Sequence, residues 1–141
     1  MKLTNRLNAV VGLVTGKAVA DVGCDHGKVP IKLILDCKCS KVIASDVNKG
    51  PVDACRKNVA KFGLSDKIDV RCGSGISTLE VSEVDTVVIA GMGGELIADI
   101  IDSEKEIAES VKEFIVQPMT SEEVLRDYLQ NNHWRRALFI N

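Results

Sequence analysis

Leu3, Leu7, Val10, Val11 and Val14 fall on one helical stripe, which predicts an amphipathic helix over about residues 3–15. Gly16 is read as its end. The pattern then changes to short apolar runs alternating with helical stripes. Strands are predicted over residues 18–22, 41–45, 68–72, 85–90 and 113–116, the fourth with Val87, Val88 and Ile89 as a continuous apolar centre. A helix is predicted over residues 29–37, with Pro30 in its first turn, where a missing N–H is harmless. Another spans residues 50–62, with Val52, Cys55, Val59 and Phe62 on one face and Gly63 as its stop. A third covers residues 95–101 and extends, in one or two pieces, to Val111. The last helix, ending near Asn131, is read as capped by Thr120, with Glu123 completing a capping box and Met119 stapled against Val124.

This strand–helix alternation predicts an α/β fold: a mostly parallel sheet with right-handed crossovers and helices on both faces. Residues 1–141 read as a single unit that includes the first helix. Ligands in such sheets bind beyond the carboxyl ends of the strands. The unusual clusters of this chain all fall at those ends: the Asp21–Gly27 turn, Asp46-Val47-Asn48, Gly73-Ser74-Gly75, Gly91-Met92-Gly93-Gly94 and Gln117-Pro118-Met119.

Composition narrows the classes. A chain of 141 residues buries roughly two-thirds of its unfolded surface, enough for a real core. No apolar run reaches about 18 residues, so no membrane span is expected, and the N-terminus lacks a signal-peptide layout. Aromatics at 4% argue against a stacking platform for single-stranded nucleic acid. Five cysteines without a secretion signal point to reduced thiols in the cytoplasm. Residues 1–75 hold 13 Lys/Arg against 7 Asp/Glu, and residues 76–141 hold 5 against 13. The basic half suits a polyanion, or is a set of solvated helix faces.

The first turn carries the most chemistry. Ala20-Asp21-Val22-Gly23-Cys24-Asp25-His26-Gly27 has the layout of a nucleotide-binding strand–turn–helix, but places two carboxylates, Asp21 and Asp25, where a pyrophosphate binder offers bare amides. A carboxylate about 4 Å from a phosphate costs about 1 kcal/mol in water and about 4 kcal/mol in a partly buried site. A cationic nucleoside gains by similar amounts, which favours S-adenosylmethionine over NAD. Asp46, ending the second strand, is placed to accept from both ribose hydroxyls, or to cap the next helix. Gly73-Ser74-Gly75 either lies beside an adenine ring or is a plain turn. The three glycines around Met92 open the backbone to a substrate base, or make a tight helix start. His26 is an acid, a base, a positioning donor or a structural histidine. Cys37-Lys38-Cys39 lacks partners for a tetrahedral metal set, so no metal is expected.

Together these stretches resemble the bacterial tRNA (adenine(22)-N(1))-methyltransferase family. The resemblance rests on residues 20–27 with Val29-Pro30-Ile31, on Ala44-Ser45-Asp46-Val47-Asn48-Lys49-Gly50-Pro51, on Val70-Arg71-Cys72-Gly73-Ser74-Gly75, on residues 89–97 and on Val116-Gln117-Pro118-Met119. It implies a Rossmann-like class I methyltransferase fold, S-adenosylmethionine as donor, and N1 of an adenine in the tRNA D-arm as acceptor. By position, Asp21, Gly23, Asp25 and Gly27 line the methionine end of the cofactor. Asp46 binds the ribose, and Gly73, Ser74, Gly75 and Ile76 border the adenine. His26, Val47, Ala90 and Gly93 complete the cofactor set. Gly91, Met92, Gln117 and Pro118 face the methyl group and the target base. Ser74 stands where the family usually has an aspartate. The family also continues through further strands and a helical C-terminal domain, so the resemblance implies truncated last strands, an exposed sheet edge and a monomer or weak homodimer.

The implied chemistry asks mainly for alignment, because adenine N1 carries its own lone pair. N1 lies on the Watson–Crick edge, so a paired target must be flipped out. Carbonyls near Ala90 and Gly91, or the Gln117 side chain, are candidate acceptors for the adenine amino group, with Met92 packed on the base. The competing expectation is a truncated remnant that binds the cofactor without methylating tRNA.

Overall fold

The computed structural model describes residues 2–134 and 136–140. Six strands form one sheet in the order β3-β2-β1-β4-β5-β6: β1 (Ala18–Val22), β2 (Lys41–Asp46), β3 (Ile68–Cys72), β4 (Thr86–Gly93), β5 (Glu113–Thr120) and β6 (Ala137–Phe139). All pairings are parallel. The strand order reverses between β1 and β4, which makes the carboxyl ends of these two strands the switch point.

The helices are α1 (Asn5–Leu13), α2 (Lys28–Leu35), α3 (Lys49–Lys61), α4 (Gly94–Ser103), α5 (Lys105–Ser110) and α6 (Glu122–Asn131). Strand residues alternate between two cores, as a period of two requires. Val19, Val42, Val88 and Ile115 pack with Val10, Val11, Ile31, Leu33, Cys55 and Val59 of α1, α2 and α3. Ala20, Ile43, Val87, Ile89, Phe114 and Val116 pack with Ile97, Ile101, Leu125 and Leu129 of α4 and α6.

Three helices stop in the same way. After α2, α3 and α6 a left-handed residue (Cys37, Gly63 and His133) precedes an amide that bonds back to the helix, as Lys38 N does to Leu33 O, Leu64 N to Val59 O and Trp134 N to Leu129 O. Gly63 is the predicted stop. Cys37 ends α2 from outside the helix rather than within it.

The structure differs from the pattern at three places. Gly16 does not end α1, whose C-cap is Val14. It is small because a Cβ there would run into the side chains of Asp85 and Thr86. Thr120 is not a helix cap, since β5 continues through it, with Thr120 opposite Gly93 of β4. The chain then turns at Ser121, which is left-handed at φ 53° and forms no side-chain cap, so the predicted box with Glu123 is not made. With Ser121 as the cap, Met119 and Val124 no longer hold the two staple positions, and both are exposed. The stretch after Trp134 forms β6, the sheet margin, which pairs with Phe114, Ile115 and Val116 and leaves Leu138 exposed. Arg135 and Asn141 of that stretch lie outside the described residues.

Candidate functional site

The turn after β1 is built from left-handed residues: Gly23 (φ 80°), Asp25 (φ 49°) and Gly27 (φ 76°). Gly27 serves as the N-cap of α2 without a side chain, and a Cβ there would sit 2.8 Å from Cys55 Sγ on α3. The amides of this turn are already engaged. Gly23 N and Cys24 N both donate to Ser45 O, at 2.8 and 2.9 Å, and Gly27 N donates to Cys24 O at 2.7 Å. Asp25 N reaches Asp46 Oδ2 at 3.4 Å. A pyrophosphate would find these four donors taken, so the loop is not an amide cradle of the dinucleotide type.

The loop presents carboxylates instead. Asp21, Asp25 and Asp46 line one cavity of about 370 Å³ at the switch point. Asp21 is buried and its carboxyl is pushed up to about 8, first by burial, then by the charges of Asp46 and Asp25. Asp46 accepts from Asn48 N at 3.2 Å as well as from Asp25 N, so it pins both the β2 turn and the first loop. Asn48, not Asp46, is the N-cap of α3. Asp25 is exposed, with His26 Nε2 at 3.8 Å from its Oδ1. His26 holds the loop to α3 through its carbonyl, which accepts from Asn58 Nδ2 at 2.9 Å. Cys24 is buried, and its thiol is raised first by a hydrogen bond to the Cys55 thiol and then by burial.

The opposite wall is Ala90, Gly91 and Met92. Gly91 is left-handed at φ 82°. Met92 lies over Gly23, where a Cβ would come 2.5 Å from the Met92 methyl. Gln117 and Pro118 stand next to this wall, opposite Ala90 and Met92 across a bulged β4–β5 register. The Gln117 oxygen accepts from Gly91 N at 3.1 Å and from Arg6 Nη1 at 2.9 Å, so it is engaged within the protein. Gly93 sits at the start of α4, 3.0 Å (at a built Cβ) from Thr120 Oγ1.

Gly73, Ser74, Gly75 and Val47 lie at the same sheet end but outside the walls of that cavity. Gly73 N donates to Asp46 O at 2.9 Å, which ties their turn to the second strand. Val47 and Ser74 are exposed, and Ile76 is buried in the core beneath. A second hollow, of about 450 Å³, lies at the β3 margin among Lys41, Arg56 and Asp69, away from every glycine turn. Among the described residues no group of three or more His, Cys, Asp or Glu is placed to hold a metal ion, and no helix is long and apolar enough to cross a membrane.

Thr4, the N-cap of the first helix, and Arg6 and Leu7 within it complete the cavity, with Lys28 and Val29 of α2. The sequence pattern marks α1 by its apolar stripe only, and Arg6 lies at the edge of that stripe, three residues after Leu3 and four before Val10. Nothing local distinguishes it from any solvated arginine.

The model of the methyltransferase domain family matches residues 3–137. The chain belongs to this methyltransferase domain family. The domain is 34% identical over 135 residues to the tRNA (adenine(22)-N(1))-methyltransferase of Bacillus subtilis, covering 95% of this chain and 57% of that protein. A Streptococcus agalactiae protein described as a member of the NADB-Rossmann superfamily superposes with TM-score 0.90 at 40% identity, over 94% of this chain and 60% of that one. TrmK of M. capricolum, solved with its cofactor product S-adenosyl-homocysteine, superposes with TM-score 0.83 at 32% identity, over 92% and 57% of the two chains. The methyltransferase domain thus spans 57% of the length of the B. subtilis relative. The Rossmann-like methyltransferase fold expected from the sequence is the one observed.

Proposed function

We infer that this methyltransferase domain transfers a methyl group from S-adenosylmethionine to N1 of the adenine at position 22 in the D-arm of tRNA. The observation that carries the reading is the set of three carboxylates around one cavity, on a loop whose amides are engaged elsewhere. The B. subtilis relative, a tRNA (adenine(22)-N(1))-methyltransferase, supports the acceptor, and the S-adenosyl-homocysteine held by the M. capricolum relative supports the donor.

The residues fit that cofactor. Asp21, buried and in no ion pair among the described residues, offers a carboxyl that ionises when the sulfonium and ammonium end arrives. Asp25 adds a second charge at the rim, and Asp46 offers its carboxylate to the ribose hydroxyls. Val47 and the Gly73–Gly75 turn border the adenine side. S-adenosylmethionine, when bound, supplies an electrophilic methyl on sulfur. The protein's own task is alignment. Gly91, without a side chain, lets the target base approach the wall. The carbonyls of Ala90 and Gly91 accept from its amino group, and Met92 gives an apolar contact. Gln117 holds the Gly91 amide in place, and Pro118 fixes the adjoining strand end. Five free thiols agree with a cytoplasmic setting, where the RNA partner is found.

Calorimetry with S-adenosyl-homocysteine tests the donor, and label transfer from S-adenosylmethionine to unmodified tRNA tests the acceptor. The expected result is binding, with label on wild-type tRNA and none on tRNA carrying guanine at position 22. Absence of S-adenosyl-homocysteine binding overturns the cofactor reading. Equal labelling of both tRNAs overturns the acceptor reading.

A further inference from the structure

The sheet sorts the charge of the chain by face. α1, α2 and α3, which pack on one side, carry seven Lys or Arg and one Asp. α4, α5 and α6, on the other side, carry two Lys or Arg and eight Asp or Glu. On the basic face Arg6 and Lys28 line the cavity, and Lys32 is paired with Asp36 at 3.0 Å. The other four cations, Lys49, Arg56, Lys57 and Lys61, all belong to α3 and lie outside the cavity walls.

α3 turns these four to solvent. Its buried stripe is Val52, Cys55 and Val59. Lys57 and Lys61 stand one turn apart on the side opposite that stripe. Lys49 and Arg56 stand two turns apart on the flank toward β3, where Arg56 Nη2 donates to Val70 O at 3.2 Å. All four are exposed, and none is in a described ion pair. Asp53, the one acid of the helix, is four residues from both Lys49 and Lys57, yet the described ion pairs include it with neither.

The arrangement works against the helix itself. Lys57 and Lys61 are like charges at i, i+4, and Lys49 opens the helix at the positive end of its dipole. The first turns of α1, α2 and α3 hold no acid, whereas those of α4, α5 and α6 each do. A ridge that helix stability does not favour, and whose charges have no partner within the described chain, is complementary to an external polyanion. Its direction also suits one. α3 starts beside the cavity, where Asp46 Oδ1 accepts from Asn48 N at 3.2 Å, and its two ends stand about 18 Å apart. A strand whose target base enters the cavity has this ridge next to it.

We propose that the exposed ridge of α3, formed by Lys49, Arg56, Lys57 and Lys61, docks the phosphate backbone of the RNA substrate. The inference rests on the tRNA reading above. Phosphate contacts position a nucleic acid without reading its sequence. The ridge therefore supplies affinity and orientation, and the choice of base stays with the cavity.

The test is fluorescence anisotropy of labelled unmodified tRNA with this chain over a salt series, in which log affinity is expected to fall linearly with log salt. Lys57→Ala with Lys61→Ala is expected to bind at least about tenfold more weakly at about 50 mM salt and to reduce the slope by about 2, one for each contact. Its S-adenosyl-homocysteine affinity and melting temperature are expected to match the wild type, since alanine is a good helix former. Glu106→Gln with Glu109→Gln changes the net charge by as much on the opposite face and is expected to leave the slope unchanged. tRNA carrying guanine at position 22 is expected to bind like wild-type tRNA. Failure of the acceptor reading thus shows in label transfer, and failure of this proposal shows in binding. An unchanged slope in the lysine variant overturns the proposal. So do equal and opposite effects of the two double variants, which report net charge alone, and a parallel loss of S-adenosyl-homocysteine binding, which reports damage to the fold. Absence of tRNA binding by the wild-type chain overturns it as well. Binding of polyglutamate as tightly as tRNA at matched salt overturns the RNA assignment in favour of an acidic protein partner.

Discussion

Arg6 donates to the Gln117 side-chain oxygen across 2.9 Å, joining the first helix to the end of β5 over 111 residues of sequence. The same oxygen takes the Gly91 amide at 3.1 Å, so one buried side chain ties α1, β4 and β5 together at the switch point. Gln117→Ala removes the partner of both donors. The expected loss is about 1–2 kcal/mol of stability, with the Gly91 amide left to water or to nothing. Urea or thermal unfolding measures it. A variant as stable as the parent would mean that Gln117 faces substrate rather than holding the wall.

In the proposed cofactor site, Asp21 is expected to make binding depend on pH. Its carboxyl is pushed up to about 8 by burial and by Asp46 and Asp25, so near neutrality it is largely protonated before a cation arrives. A positively charged ligand favours the ionised form, and binding releases a proton. Affinity for S-adenosylmethionine is therefore expected to rise with pH up to about 8 and to level off above it. Calorimetry in buffers of different ionisation enthalpy reads the released proton. Asp21→Asn should bind weakly at every pH and release none through this group.

The same carboxyl sets a stability trend in the ligand-free chain. Its folded value lies above the unfolded value of 3.8, so the folded state holds a proton that the unfolded state gives up. This contribution is full below pH 4 and is lost as pH rises toward 8. Asp21→Asn removes the charge while keeping the shape. It is expected to raise the melting temperature at pH 8 and to change it little at pH 4. The reverse order would show that the carboxylate has a cationic partner in the folded chain.

Much of this architecture was legible because each strand and helix carries its own period. The loop carboxylates were legible too, since Asp21, Asp25 and Asp46 sit at strand ends and turns that the apolar runs mark. Arg6 was not, because its meaning depends on Gln117 and Gly91, which only the folded sheet brings near. The start of α6 was misplaced for a related reason. Thr120 looks like a cap in isolation, but its backbone pairs with Gly93, and that pairing extends β5 by several residues. Gly16 looks like a helix stop, yet it is small because Asp85 and Thr86, far along the chain, press against it.

Cys37 offers a test of backbone strain away from the site. It is exposed and left-handed at φ 56°, at the position after the α2 cap where glycine is usual. An L side chain there costs about 1–2 kcal/mol, while glycine loses about 0.5–1 kcal/mol more entropy on folding. Cys37→Gly is expected to stabilise the chain by about 0.5–1 kcal/mol, or about 2–4 °C in melting temperature. No gain would mean that the Cys37 side chain makes contacts that offset the strain.

Gly23→Ala separates strain from crowding at the cavity. Gly23 is left-handed at φ 80°, and a Cβ there comes 2.5 Å from the Met92 methyl. The methyl is the far end of a flexible side chain and moves at small cost. The backbone cannot move so easily, because Gly23 N and Cys24 N are both tied to Ser45 O. Strain therefore outweighs crowding, and Gly23→Ala should cost about 1–2 kcal/mol of stability. Adding Met92→Ala should return little of that loss, since it relieves the contact but leaves the dihedral unchanged. Unfolding of the two single variants and the double variant gives the coupling between them. Full recovery in the double variant would show that the Met92 contact, not the left-handed turn, is what requires glycine at this position.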